Sequence, residues 1–233
     1  MSQQVKLSVV IAAAFAVIIG GLFVMQRFGG DIAETPVKDT AADTGVSNGA
    51  AGGGGTELVR PNSHVLGERG TGKVTFVEFL DFECESCRAV YPAIEELRKK
   101  YQGRVTFVAR YFPLPGHFNA ERAARAVEAA AQQGKFEDMY HLMYTTQKQW
   151  GEQRTPKDDL FLSYAEQLGL DMAQYQRDYQ AKATLQRVQA DIADGKALGV
   201  QGTPTFFVNG KRLEPQSYAD LTGALDAALA DAN

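Results

Sequence analysis

Two cysteines, Cys84 and Cys87, close the run KVTFVEFLDFECESC that begins at Lys73. They are the only cysteines in 233 residues, so a single chain has no thiol left for a structural disulfide elsewhere. Two thiols at this spacing form either a dithiol–disulfide couple or half of a metal site. A zinc site needs two further ligands, and His64, His117 and His141 show no ligand spacing to the pair. No metal and no cofactor is therefore expected. An inert buried pair is the other alternative. The position of the pair favours redox chemistry, because Cys84 comes first, where an amphipathic pattern begins. At a helix amino end the free N–H groups and the dipole favour a thiolate, and the thiolate is the attacking form in disulfide exchange. Cys84 is the expected exposed nucleophile that forms a mixed disulfide with substrate. Cys87, one turn further in, is expected to resolve it.

The elements that must place this pair can be read on either side of it. Before it runs a β-forming apolar stretch. After it Val90, Ala93, Ile94, Leu97 and Tyr101 recur at helical steps, predicting a helix over 86–100. A second strand is predicted over 105–112, broken by Pro113, Pro115 and Gly116. A long helical tract follows, about 119–198. Asn119 is a candidate cap, Phe136, Tyr140 and Tyr144 form an aromatic stripe, and Thr155-Pro156 and Asp171 mark further helix starts. The aromatic stripe, with Trp150 beyond it, reads as insertion core, with a substrate groove as the lesser alternative. Thr203-Pro204 opens a strand, Asn209-Gly210 is a hairpin signal, and Ser217-x-x-Asp220 opens a final helix. The predicted architecture is an α/β fold with a mixed sheet and helices on its faces.

The segments ahead of the folded domain carry a different signal. Leu7 to Met25 has no charged residue, with Lys6 before it and Arg27 after it. Its length matches a bilayer core. A cleaved signal peptide competes, but the apolar run is long and Gln26-Arg27-Phe28 is a poor cleavage context. Residues 1–28 are therefore expected to form an N-terminal transmembrane anchor. Residues 29–57, rich in Gly, Ala, Thr and Asp, form a flexible linker with a reach of roughly 30 Å. Residues 58–233 form the folded domain. The net charge of −4 gives no sign of a nucleic-acid partner.

Element order, a Cys-x-x-Cys at a strand-to-helix junction, and a Thr-Pro before an Asn-Gly hairpin together resemble the thioredoxin fold. The 116 residues between Cys87 and Pro204 exceed what plain thioredoxins place there. That helical insertion resembles the DsbA-like thiol-disulfide oxidoreductases, in a membrane-anchored branch. The resemblance implies a cis bond at Thr203-Pro204, whose loop packs on the cysteines and leaves the Thr203 backbone free to pair with an extended substrate. A proline that merely starts a strand is the bland alternative. It also implies that Glu78, six residues before Cys84, is a buried acid near Cys87. Burial raises a carboxyl pKa, so Glu78 is expected to accept the Cys87 proton. A glutamate facing water competes with that reading.

One departure from the family pattern concerns the dipeptide. Strong oxidants of the family carry Pro-His between the cysteines, whereas this chain has Glu85-Ser86. A carboxylate about 7 Å from sulfur costs a thiolate roughly 0.6–2.4 kcal/mol. The helix dipole contributes a comparable amount in the opposite sense. Glu85 and Ser86 are thus expected to tune the pair toward a weakly stabilised thiolate and a less oxidising disulfide. The function implied is an extracytoplasmic, single-pass, monomeric enzyme of the cell membrane. It introduces disulfides into secreted or envelope proteins and is recycled by a membrane redox partner. A reductase or isomerase using the same pair, and a non-enzymatic thiol-containing binding or metal-handling module, are the alternatives.

Overall fold

The computed structural model describes residues 57–232. The expected anchor and all but the last residue of the expected linker lie outside that range. Among the described residues no helix is long and apolar enough to cross a membrane.

Strand β2 (Val74–Leu80) is the central strand, and its sequence VTFVEFL explains why. A strand apolar on both faces is stable only if both faces are covered. Val74, Phe76 and Leu80 enter one apolar cluster, and Val77 and Phe79 enter another on the opposite face. Glu78 shares its face with the first set by the alternation of a strand. Strand β2 pairs in parallel with β3 (Val105–Tyr111) and antiparallel with β4 (Thr205–Val208). The five-stranded order is β1-β3-β2-β4-β5, with β1 (His64–Leu66) and β5 (Lys211–Leu213) at the two edges. Asn209 and Gly210 both take positive φ, 47° and 84°, the geometry an Asn-Gly hairpin requires. The Asn209 side chain also accepts the Thr75 N–H at 2.9 Å, pinning the hairpin to the central strand.

Edge strand β1 lies in a polar, glycine-containing segment ahead of β2 that carries no strand pattern. It pairs antiparallel with β3. Three residues flanked by polar and glycine positions give no periodicity, so only the open edge of β3 creates this strand.

Helix α1 (Glu85–Lys100) starts directly at the cysteine pair and packs Ile94 and Leu97 into the larger cluster. Pro92 lies inside it. With no N–H there, the ladder bond to Arg88 is absent. The helical tract contains α2 (Ala120–Ala131), α3 (Phe136–Thr146), a 3-10 turn (Gln147–Gln149), α4 (Asp158–Gln167), α5 (Met172–Gln180) and α6 (Lys182–Ala197). Helix α7 (Tyr218–Asp231) closes the chain. Asp171 and Ser217 cap α5 and α7 as their sequence positions predict. Asn119 does not cap its own helix. Its amide instead bonds the Gln153 and Thr155 carbonyls and accepts the Lys157 N–H, joining the turn before α2 to the turn before α4.

Helix α6 sits against β3 through buried charge. Arg110 is fully buried, and its guanidinium donates to Asp191 at 2.6 Å and to Asp194 at 2.5 Å. It also donates to the Glu57 and Leu58 carbonyls, tying down the first residues of the domain. At Gly195 a Cβ would lie 2.7 Å from the Phe112 ring, so the close approach of α6 depends on the missing side chain.

Candidate active site

The turn between β2 and α1, Asp81 to Cys84, converts the end of a buried strand into the start of a helix. Cys84 is the N-cap residue, with extended backbone at φ −67° and ψ 121°. Its N–H donates to the Asp81 carbonyl at 3.2 Å, and its carbonyl accepts the Arg88 N–H at 3.1 Å. Both cysteines are free thiols. Cys87, on the inner face of α1, is 1% exposed. Cys84 is 6% exposed, which corrects the expectation of an openly exposed nucleophile. The covering comes from the Thr203-Pro204 loop, far away in sequence: the Cys84 thiol donates to the Thr203 carbonyl at 3.3 Å.

The two thiols are driven apart in acidity by their surroundings. The Cys87 thiol, hydrogen-bonded to Cys84, is the largest influence on Cys84 and favours its thiolate. Burial opposes this. The Thr203 side chain, whose buried hydroxyl has no hydrogen-bond partner of its own, and the backbone N–H groups of Cys87 and Ser86 reinforce it. Cys84 falls to about 6. Cys87 moves well above the ordinary thiol range, because burial, the bond it gives to Cys84 and the nearby Glu78 all disfavour its charge.

The expected near-cancellation at Cys84 therefore does not hold. Hydrogen bonds to sulfur set the direction of the shift, and they could not be weighed from sequence. Glu85 and Ser86 are exposed side chains, so water screens whatever charge Glu85 sets against the thiolate. The contribution of Ser86 comes through its backbone.

Glu78 is 3% exposed, and its Oε2 has no hydrogen-bond partner. Burial, then the charges of Glu95 and Cys84, push its carboxyl up to about 8. The charge of Glu78 is among the influences that raise Cys87, so the acid lies within electrostatic reach of the inner thiol.

The Thr203–Pro204 bond is cis. Pro204 borders a groove of about 540 Å³ that runs between Val90 and Ala93 of α1 and Leu213 and Tyr218 near α7. The aromatic stripe is elsewhere: Phe136, Tyr140, Tyr144 and Trp150 are all buried core of the insertion. Among the described residues no three His, Cys, Asp or Glu side chains group closely enough to hold a metal ion.

Tertiary structure adds residues that the sequence did not reveal. Gln147, 2% exposed in the 3-10 turn, donates to the Phe82 carbonyl at 2.7 Å and the Cys84 carbonyl at 2.9 Å. Its Oε1 accepts the Arg88 guanidinium at 2.8 Å. The insertion thus holds the cysteine turn by both ends of one amide. Buried Asp81 accepts the N–H groups of Glu83 and Leu114 and contacts His117 Nδ1 at 2.6 Å. Buried Glu83 accepts the Asn119 N–H at 2.6 Å and the Glu152 N–H at 3.1 Å. No local pattern marks these pairings; the acidic spelling DFEC was the one hint available.

Comparison with known proteins gives a consistent picture. The thioredoxin family profile matches residues 60–227. The chain is similar to the crystal structure of a thioredoxin-like oxidoreductase from Silicibacter pomeroyi DSS-3, with 32% identity and a TM-score of 0.62. That match covers 74% of this chain and 95% of the other. BdbD from Bacillus subtilis shares the fold at 23% identity and a TM-score of 0.64, covering 71% and 92% of the two chains. Alpha-DsbA1 from Wolbachia pipientis shares it at 18% identity and a TM-score of 0.65, covering 75% and 94%. Among curated sequences, the protein named Na(+)/H(+) antiporter NhaA 1 of Mycolicibacterium gilvum is 40% identical over 185 residues. The one named Na(+)/H(+) antiporter NhaA of Herminiimonas arsenicoxydans is 30% identical over 232 residues. The chain spans only 28% and 33% of the length of these two relatives.

Proposed function

Because this chain belongs to the thioredoxin family and shares its fold with DsbA-like thiol-disulfide oxidoreductases, we propose that it is a protein thiol-disulfide oxidoreductase working through Cys84 and Cys87. One observation carries the reading. The outer thiol, at a helix N-cap, is held at about 6, while the inner thiol is buried and pushed up above an equally buried carboxyl. A structural pair has no need of that asymmetry. A nucleophile and a resolving thiol require it.

In the oxidising direction the pair begins as a disulfide. A substrate thiolate attacks Cys84 Sγ and breaks the Cys84–Cys87 bond, and the Cys87 sulfur leaves and takes up a proton. A second substrate thiolate then attacks the substrate sulfur of the mixed disulfide. The substrate disulfide forms and Cys84 departs as its stable thiolate. Two electrons pass from two substrate thiols to the enzyme pair.

Recovery runs through a disulfide-bearing membrane redox partner. The Cys84 thiolate attacks that disulfide, and the Cys87 thiol attacks the Cys84 sulfur, losing its proton to Glu78 in the fraction of molecules where that carboxyl is ionised, about a tenth at pH 7. Forming the mixed disulfide removes the Cys84 charge, one of the influences that raise Glu78. The Thr203 backbone beside Pro204 pairs with the extended substrate segment, and Glu85 and Ser86 tune the couple from the exposed side. The apolar Leu7–Met25 run supports work at the membrane, outside the cytoplasm. Relatives named as antiporters, in which this chain matches about a third of the length or less, also support a place at the membrane.

The test is a Cys87→Ser variant expressed in cells. It should accumulate mixed disulfides through Cys84 with other proteins, and reducing agent should release them. Absence of such adducts would favour a non-enzymatic binding module. Alkylation of the wild-type pair in cells reads the direction: mostly disulfide for an oxidase, mostly dithiol for a reductase or isomerase.

A further inference from the structure

The contact between His117 and Asp81 plays no part in the steps above, and its placement singles it out. Asp81 opens the turn that leads from β2 to the nucleophile, and its side chain is fully covered. One carboxylate oxygen lies 2.6 Å from His117 Nδ1 and accepts the Leu114 N–H, and the other accepts the Glu83 N–H. The backbone carbonyl of the same residue accepts the Cys84 N–H. A single residue therefore ties an imidazole from the loop after β3 to the turn that carries the nucleophile.

His117 is partly exposed, 22% by side chain. The ionisable groups facing it come from several elements. Asp81, Glu83 and Cys84 belong to the turn before α1, and Glu152 lies with Oε1 4.0 Å from Nε2. Glu121 and Lys196 share a surface pocket with His117 on one side, and Arg154 shares one on the other. The Asp81 hydrogen bond is the largest influence and holds the ring protonated, up to about 9. Burial opposes that, and the charges of Asp81, Cys84 and Glu83 support it. At neutral pH His117 is an imidazolium within electrostatic reach of Cys84.

We propose that His117, anchored by Asp81, is a positioning residue of the redox pair, a fixed cation that stabilises the Cys84 thiolate and links its redox state to a proton on the imidazole. This rests on the reading of Cys84 as the nucleophile. Coupling between two charges is reciprocal. If the imidazolium favours the thiolate, the thiolate must favour the imidazolium, and forming the Cys84–Cys87 disulfide removes that support. For scale, a generic pair of unit charges about 8 Å apart, across an effective dielectric of about 40–80, shifts each partner by about 0.4–0.8 pH units, and a change of that order is expected here. It is a secondary contribution, because the Cys87 hydrogen bond, burial and the Thr203 side chain lead among the influences on Cys84.

The experiment is an NMR pH titration of the His117 ring in the full-length chain, fully reduced and fully oxidised. His117→Gln identifies its resonance among the three histidines. The His117 midpoint should be about 0.4–0.8 pH units lower in the oxidised form. In a second measurement the thiolate absorbance of Cys84 in His117→Gln should titrate higher than wild type by a similar amount. A histidine that only braces the loop would have the same midpoint in both redox states, and that result overturns the proposal even if the variant fails to fold. If the wild-type pair cannot be oxidised reversibly, the assignment of the nucleophile itself falls, and this inference falls with it.

Discussion

Replacing Glu78 with Gln should make the reduced protein more stable and slower, and the two effects come from one number. The Glu78 carboxyl titrates near 8 in the folded protein and near 4.5 when unfolded. Between those values the folded state holds a proton that the unfolded state has lost, so stability falls as pH rises through this window. At pH 7 the interval already crossed is about 2.5 pH units, and at about 1.4 kcal/mol per unit the penalty is about 3 kcal/mol. Glutamine keeps the shape and cannot ionise, so Glu78→Gln should recover about 3 kcal/mol at pH 7. The assay is urea unfolding of both reduced proteins at pH 4 and pH 7. The difference should be present at pH 7 and nearly absent at pH 4, where both forms carry a neutral side chain. The same substitution removes the ionised fraction of Glu78 that accepts the Cys87 proton, about a tenth of the molecules at pH 7, so reoxidation there should slow by about 10-fold or more. A variant equally stable at both pH values would refute the reasoning, since the carboxyl would then not be desolvated.

Three further outcomes follow from the same geometry. Alkylation of Cys84 by iodoacetamide should rise with pH to half its plateau near 6, with Cys87 unreactive until the protein unfolds; a midpoint above 8 would contradict the hydrogen-bonded thiolate. Gln147→Ala should cost about 1–3 kcal/mol in denaturant unfolding, because the buried carbonyls of Phe82 and Cys84 lose their donor. Arg110→Met should cost about 3–5 kcal/mol, because it strands the buried carboxylates of Asp191 and Asp194, and adding Asp191→Leu should recover part of that loss.

The site also shows which kind of interaction governs acidity here. The neighbouring carboxylate of Glu85 looks decisive in one dimension, because it is adjacent to Cys84 in sequence. It is exposed, and water screens it. The decisive influences are the hydrogen bond from Cys87, the side chain of Thr203 119 residues away, and the backbone N–H groups of α1. Cys84 is held as thiolate by donors within a few ångströms, in a place from which solvent is largely excluded.

The sequence alone determined the features that depend on neighbours in the chain. The β-rich run ending at the cysteines, the helical periodicity after them, the Asn209-Gly210 turn, and the caps Asp171 and Ser217 are local. Each is settled by residue types a few positions apart. Glu78 was legible for a related reason, as a lone acid inside an apolar run. Tertiary structure decided the rest. Strand β1 exists because β3 offers an open edge, and Asn119 turned its side chain to a distant loop. Cys84 is covered rather than exposed because Thr203 lies over it. The pairing of Asp81 with His117, and the hold of Gln147 on the cysteine turn, join residues 36 and 63–65 positions apart. Their geometry exists only after the insertion has packed onto the strand-to-helix turn, so no local pattern encodes it.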